Sequence, residues 1–320
     1  MKYLIDNLDK KILKQLLLDG RRSFVELAKD CGASAITVGK HFNKLKKEGI
    51  ITGSTLQINY RRLGLNTVFN MSFKIRPDHA RDTYEKIIRM KNLFSVTDFQ
   101  KTVSAVFTLR NHEELNVTKE ELKKIGAISG IKTYLWTDIR NQRENLDIFL
   151  NEDNKNASNL ILKEKSEREV VDELDIKLID ILSMNSRMPF REVAKQLGTA
   201  VDTISRRYER LRLNQTIKAI IQINPQKLGY HASFCVGIAF TSEGSFQAAF
   251  NKLVKSKNCT LLIRTSGELD LLLQFYVKNL EELLEIQENI EKTPNVVILE
   301  SGVMRCENIY PSRKEFVSTI

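Results

Sequence analysis

Apolar positions recur along this chain with two periods, and the change from one to the other marks its parts. Leu8, Ile12, Leu13 and Leu16 return at helical spacing, with Asn7 as cap and Gly20 as stop. Ser23 opens a short helix carrying Phe24, Leu27 and Ala28 on one face. Cys31-Gly32-Ala33-Ser34 then reads as a tight turn in which Gly32 supplies a positive φ. A third helix from about Ser34 is predicted to bury Ile36, Val38, Phe42 and Leu45. Its outward residues are Thr37, Lys40, His41 and Lys44. Gly49 ends it, and Ile50–Thr52 with Leu56–Asn59 predict a two-stranded wing. The order strand, helix, strand, strand, helix, strand follows, at about 66–75, 78–90, 94–100, 103–110, 112–124 and 129–138.

The same pattern then returns. Residues 8–48 match 174–214 without a gap at 12 of 41 positions, Arg21/Arg187, Phe24/Phe190, Gly32/Gly198 and Thr37/Thr203 among them. After a one-residue slip, Leu56-Gln57-Ile58-Asn59 meets Ile221-Gln222-Ile223-Asn224, and Leu63-Gly64 meets Leu228-Gly229. The second set of strands and helices falls at about 231–241, 243–255, 259–266, 269–277, 279–291 and 295–305. The predicted fold class is therefore α+β: two winged helix-turn-helix domains, each followed by a ferredoxin-like βαββαβ sensor domain. The expected boundaries are 1–64 and 65–140 for the first copy, 141–168 for a polar linker, and 169–229 and 230–320 for the second.

Composition narrows the partners. The net charge of +10 is concentrated in residues 1–64, which carry +7, while residues 230–320 carry −2. A basic surplus on particular domains suits a polyanion, and double-stranded DNA is the expected partner. Apolar runs too short to cross a bilayer and an acid at Asp6 ahead of any apolar leader lead to the expectation of a cytoplasmic protein without membrane contact. Cys31, Cys235, Cys259 and Cys306 never fall at Cys-x-x-Cys spacing, so neither a zinc site nor a redox pair is indicated, and no cofactor is expected.

A helix-turn-helix projects its second helix into the major groove. Candidate DNA-binding residues are Arg21, Ser34, Thr37, Lys40, His41 and Lys44 in the first copy. In the second they are Thr203, Arg206, Arg207 and Arg210, where arginine forks suit guanine. Asp202 lies on the same outward face. His79, His112 and His231 stand apart from one another and from acids at any catalytic spacing, and Trp136 reads as a packing or interface residue.

These residues resemble the Lrp/AsnC, or feast/famine, family of prokaryotic transcription regulators. The resemblance rests on Leu8-Asp9 opening the first helix, Ser23–Ala28 with Gly32-Ala33-Ser34, and Lys47-Glu48-Gly49-Ile50-Ile51 before the wing. It continues in Leu63-Gly64 and in Ser266-Gly267-Glu268-Leu269-Asp270-Leu271. It implies a regulator modulated by a small effector such as an amino acid. Effector contacts would fall at Ser266, Gly267 and Asp270, and sensors would pair into a homodimer or higher oligomer. The chain departs from the family in being a tandem fusion. Its first sensor has Phe99-Gln100-Lys101-Thr102 where glycine and aspartate are expected, and its second reader has Leu213-Asn214-Gln215-Thr216 in place of Glu-Gly. The alternatives are a siroheme-decarboxylase-like enzyme on the same fold and an architectural DNA-binding protein without an effector. The chain contains no nucleophile–base pair, phosphate loop or metal cluster by sequence, so it is expected not to be an enzyme.

Overall fold

The computed structural model describes residues 4–65, 67–99, 102–142, 145–149, 169–242 and 246–306. These divide into two compact units. One holds the chain up to Leu63 together with Leu146–Tyr230, and the other holds Gly64–Asn145 and His231–Cys306. Both readers thus share one unit and both sensors the other. Most of the expected linker, 150–168, and Lys101 lie outside the described residues.

In the reader unit the first copy forms α1 (Asn7–Leu18), α2 (Phe24–Cys31), α3 (Ala35–Lys47) and β1 (Ile51–Ile58). The second forms α6 (Glu173–Met184), α7 (Phe190–Leu197), α8 (Val201–Leu213) and β6 (Ile217–Ile223). Asp6, rather than Asn7, caps α1. It forms a capping box with Asp9, and Asp172 with Asp175 repeats the device on α6. Gly32 and Gly198 end α2 and α7 at φ 68° and 61°, the left-handed geometry the turn requires. Gln215 takes a φ of 56° at the place of Gly49, so the departure from Glu-Gly leaves the turn intact.

Two expectations need correction. The wing is not a hairpin within each copy. β1 runs unbroken through Gly53-Ser54-Thr55 and pairs antiparallel with β6, Leu56 opposite Ala219 and Ile58 opposite Ile217. No tight turn interrupts either strand, so each satisfies its backbone groups on the other copy. Leu56 then packs in the core of the second reader with Leu178, Leu182, Ile204 and Leu211, and Thr55 Oγ1 donates to Ser183 O at 2.8 Å. Gly20 N–H donates to Ala219 O at 2.7 Å, an approach so close that a Cβ would lie 2.6 Å from the Ile220 carbonyl carbon. Ile36, expected inside, is 74% exposed, because Val38, Phe42 and Leu45 already define the buried face of α3.

In the sensor unit the first copy forms β2 (Thr67–Ile75), α4 (Ala80–Ile87), β3 (Leu93–Phe99), β4 (Thr102–Leu109), α5 (His112–Lys124) and β5 (Ile128–Asn141). The second forms β7 (Ala232–Phe240), α9 (Phe246–Val254), β8 (Cys259–Ser266), β9 (Leu271–Val277), α10 (Leu280–Glu291) and β10 (Val296–Arg305). The strand orders β5-β2-β4-β3 and β10-β7-β9-β8 are the same ferredoxin-like order twice. The two sheets join edge to edge through β5 and β8 into one of eight strands, whose end strands β10 and β3 also approach each other. Sensor pairing therefore occurs within a single chain. The helix-facing sides carry separate cores, Phe69, Met71, Phe73 and Phe107 in one and Phe234, Ile238, Leu271 and Phe275 in the other. All four cysteines are free, and burial pushes the Cys259 thiol up to about 12, as for a small apolar core residue.

Candidate functional site

On α3, Ser34 is the N-cap, its Oγ accepting the Thr37 N–H at 3.1 Å while the two hydroxyls bond at 2.8 Å. Lys40 and Lys44 follow on the exposed side. His41 does not point freely into solvent. Its Nδ1 lies 2.8 Å from Oδ1 of Asp9, a carboxylate that is itself buried, and 3.8 Å from Asp6 Oδ2.

The second reader repeats this arrangement with permanent cations. Arg207, the counterpart of His41, donates through Nη1 to Asp172 Oδ1 at 2.7 Å and Asp175 Oδ1 at 2.8 Å. Arg210, the counterpart of Lys44, reaches Asp175 Oδ2 at 2.5 Å and Val170 O at 3.3 Å. The hydrogen bond from Arg207 holds the Asp172 carboxyl below its ordinary value, and Asp172 in turn raises Arg207. Arg206 differs from both: it is exposed, and no described residue pairs with it. With Asp172, Thr203, Arg207 and Arg210 it lines a concavity of about 320 Å³ on the outer side of α8. Sequence reasoning missed the acids of the capping boxes as partners, although the 8–48/174–214 register also aligns Asp6 with Asp172 and Asp9 with Asp175.

Arg21 turns back onto the second reader. Its Nη1 donates to Met188 O at 3.0 Å and to Ser186 O, and its guanidinium lies 4.1 Å from the centre of the Phe190 ring. Arg187, its counterpart, donates to Gly20 O and sits 5.1 Å above the Phe42 ring. Burial lowers both arginines from their usual value. This reciprocal clasp ties the two readers together.

In the second sensor, Asp270 holds the turn. Its Oδ2 accepts the Phe240 N–H at 2.7 Å, its own N–H donates to Ile238 O, and its carbonyl accepts from Thr265 N–H. One oxygen of the carboxylate is thus bonded to backbone. Ser266 lies opposite Leu135 of β5. Gly267 adopts φ 139°, and a Cβ there would touch the Tyr134 ring at 3.4 Å. Glu268 bonds Lys132 at 2.7 Å across the same junction. The turn therefore lies on the seam between the two sensors.

Two unequal readers on one clasped unit, with a duplicated sensor sheet, define a regulator built to meet DNA. A model of the AsnC-type helix-turn-helix domain matches residues 171–212, and one of winged helix-turn-helix DNA-binding domains matches residues 5–52. The HTH-type transcriptional regulator FL11 of Pyrococcus furiosus is 32% identical over 139 residues, which cover 41% of this chain and 91% of that protein. The regulatory protein AsnC of Escherichia coli K12 is 26% identical over 147 residues, 43% of this chain and 97% of its own. Among solved structures, the siroheme decarboxylase NirDL resembles nearly the whole fold, with a TM-score of 0.62 at 13% identity, over 95% of this chain and 92% of that one. The chain belongs to the Lrp/AsnC family and is a DNA-binding transcription regulator. Among the described residues no helix is long and apolar enough to cross a membrane.

Proposed function

We propose that the outward faces of α3 and α8 read two unlike half-sites of one asymmetric operator, and that Arg206 carries most of the base discrimination. The observation behind this is the contrast on α8: Arg207 and Arg210 are committed to Asp172 and Asp175, whereas Arg206, beside Thr203, is exposed and has no partner among the described residues. An unpaired guanidinium keeps its planar fork for a guanine edge. Thr37, Lys40 and Lys44 supply the corresponding face of the first reader, with lysines acting as point charges toward phosphate. Footprinting of genomic fragments with wild type and Arg206→Ala tests the proposal. The variant should lose preference within one half-site at a cost of about 1–3 kcal/mol. Equal weakening on every sequence would reduce Arg206 to a phosphate contact.

The same reading makes the second sensor the place for a small effector such as an amino acid. Ser266 and Gly267 would present backbone at the seam and Asp270 would keep the turn in shape. One chain is read as the equivalent of the family's sensor-paired dimer. Pairing between chains, also expected from the sequence, is measured by light scattering. The function proposed is regulatory rather than catalytic, since the decarboxylase likeness is one of fold. Titration with an iron porphyrin should leave the absorbance of the porphyrin unchanged, and a saturable shift would favour the enzyme.

A further inference from the structure

The residue of α3 that the apolar pattern places inside, Ile36, stands 74% exposed on the first turn of the helix. It is two residues, a little over half a turn, from the buried Val38, so the two point to opposite sides. Lys40, Lys44 and Lys47 continue its stripe at helical spacing, all exposed. The helix thus shows solvent an isoleucine at its beginning and a row of cations along the rest. A row of lysines opposes an apolar protein partner and suits a phosphate backbone. The first turn of a recognition helix is the part that meets base edges, and the apolar group a major groove offers there is the thymine C5-methyl. In the second reader the same position is Asp202, exposed on α8 beside Arg206.

We propose that Ile36 reads a thymine by packing on its methyl group, so that the first half-site contains a T·A pair that the second does not. The inference rests on the DNA reading proposed above and adds to it a residue and a base. Asp202 cannot make the same contact. As an acceptor it suits the exocyclic amine of cytosine instead.

The test begins with duplexes selected from a random pool by the intact wild-type chain. In the selected site, the thymine whose preference disappears with Ile36→Ala is replaced by deoxyuridine, which removes the methyl and nothing else. Wild type should bind the deoxyuridine duplex about fourfold more weakly, the change that burial of one methyl group gives. Ile36→Ala should bind both duplexes alike, and Ile36→Val should keep most of the discrimination. Because the side chain is exposed, unfolding of the variants should match wild type. If both proteins discriminate thymine from deoxyuridine equally, or if Ile36→Ala selects the same site as wild type, the inference is overturned while the DNA reading stands. A wild-type chain that selects no sequence overturns both.

Discussion

His41 and Arg207 occupy the same position in the duplicated third helix, and both reach back to the acid that closes the capping box of the first helix. The distances are equal: 2.8 Å from His41 Nδ1 to Asp9 Oδ1, and 2.8 Å from Arg207 Nη1 to Asp175 Oδ1. The two copies share the contact and differ in the side chain that makes it.

This difference gives the second reader a pH signature. Arg207 lowers the Asp172 carboxyl from its ordinary 3.8. A depressed folded value means that the stabilisation is full above the unfolded value and is lost as pH falls through the folded one. The stability gap between wild type and Arg207→Gln should therefore be constant near neutrality and narrow below about pH 4. Denaturant unfolding from pH 7 to pH 2 would show it, and a gap that widened in acid would refute the assignment.

The arginine clasp should matter to stability and not to salt-dependent DNA binding. Arg21→Ala removes charged donors from two backbone carbonyls and a cation from the Phe190 ring. It should cost about 2–4 kcal/mol, with a comparable loss for Arg187→Ala. The slope of log affinity against log salt should not change. A slope smaller by about one, with unfolding unaltered, would return Arg21 to the phosphate contacts.

Gly20 should tolerate no side chain. A Cβ placed 2.6 Å from the Ile220 backbone has to displace β6, because a strand cannot rotate aside as a flexible side chain does. Gly20→Ala is expected to destabilise the reader unit by about 1–3 kcal/mol. Gly32→Ala meets nothing within 4 Å and costs only the strain of its positive φ, about 1 kcal/mol. Thermal unfolding of the two variants should rank them in that order.

An effector at the sensor seam should respond to Gly267→Val and not to a matching change at Thr102. The valine side chain would strain the turn at φ 139° and lie against the Tyr134 ring across the seam. Thermal-shift scans across the common amino acids compare the two variants with wild type. Binding lost at Thr102 and kept at Gly267 would move the site to the first sensor.

Periodicity carried the helices and the sensor strands to within a few residues, since local spacing decides which face is buried. It did not carry the pairing of β1 with β6, because alternation says that a strand needs a neighbour and not which neighbour it takes. Arg207 and Arg210 illustrate the same limit. Their outward direction follows from the helix, but the acids that hold them lie 32 and 35 residues away. Ile36 was open to correction from spacing, as it falls on the side of α3 opposite Val38. Its apolar character outweighed its position.

The strand exchange between β1 and β6 has a consequence for descent. When each half of a duplicated chain pairs its strand with the other's, losing one half leaves the other with an unpaired strand edge and an uncovered core. Packing thus joins the halves in addition to the peptide bond. In a dimer of identical subunits every substitution appears twice, on both readers at once. Here a difference such as His41 against Arg207 sits in one reader and leaves its twin as it is. A protein with this construction can acquire a taste for lopsided DNA one residue at a time.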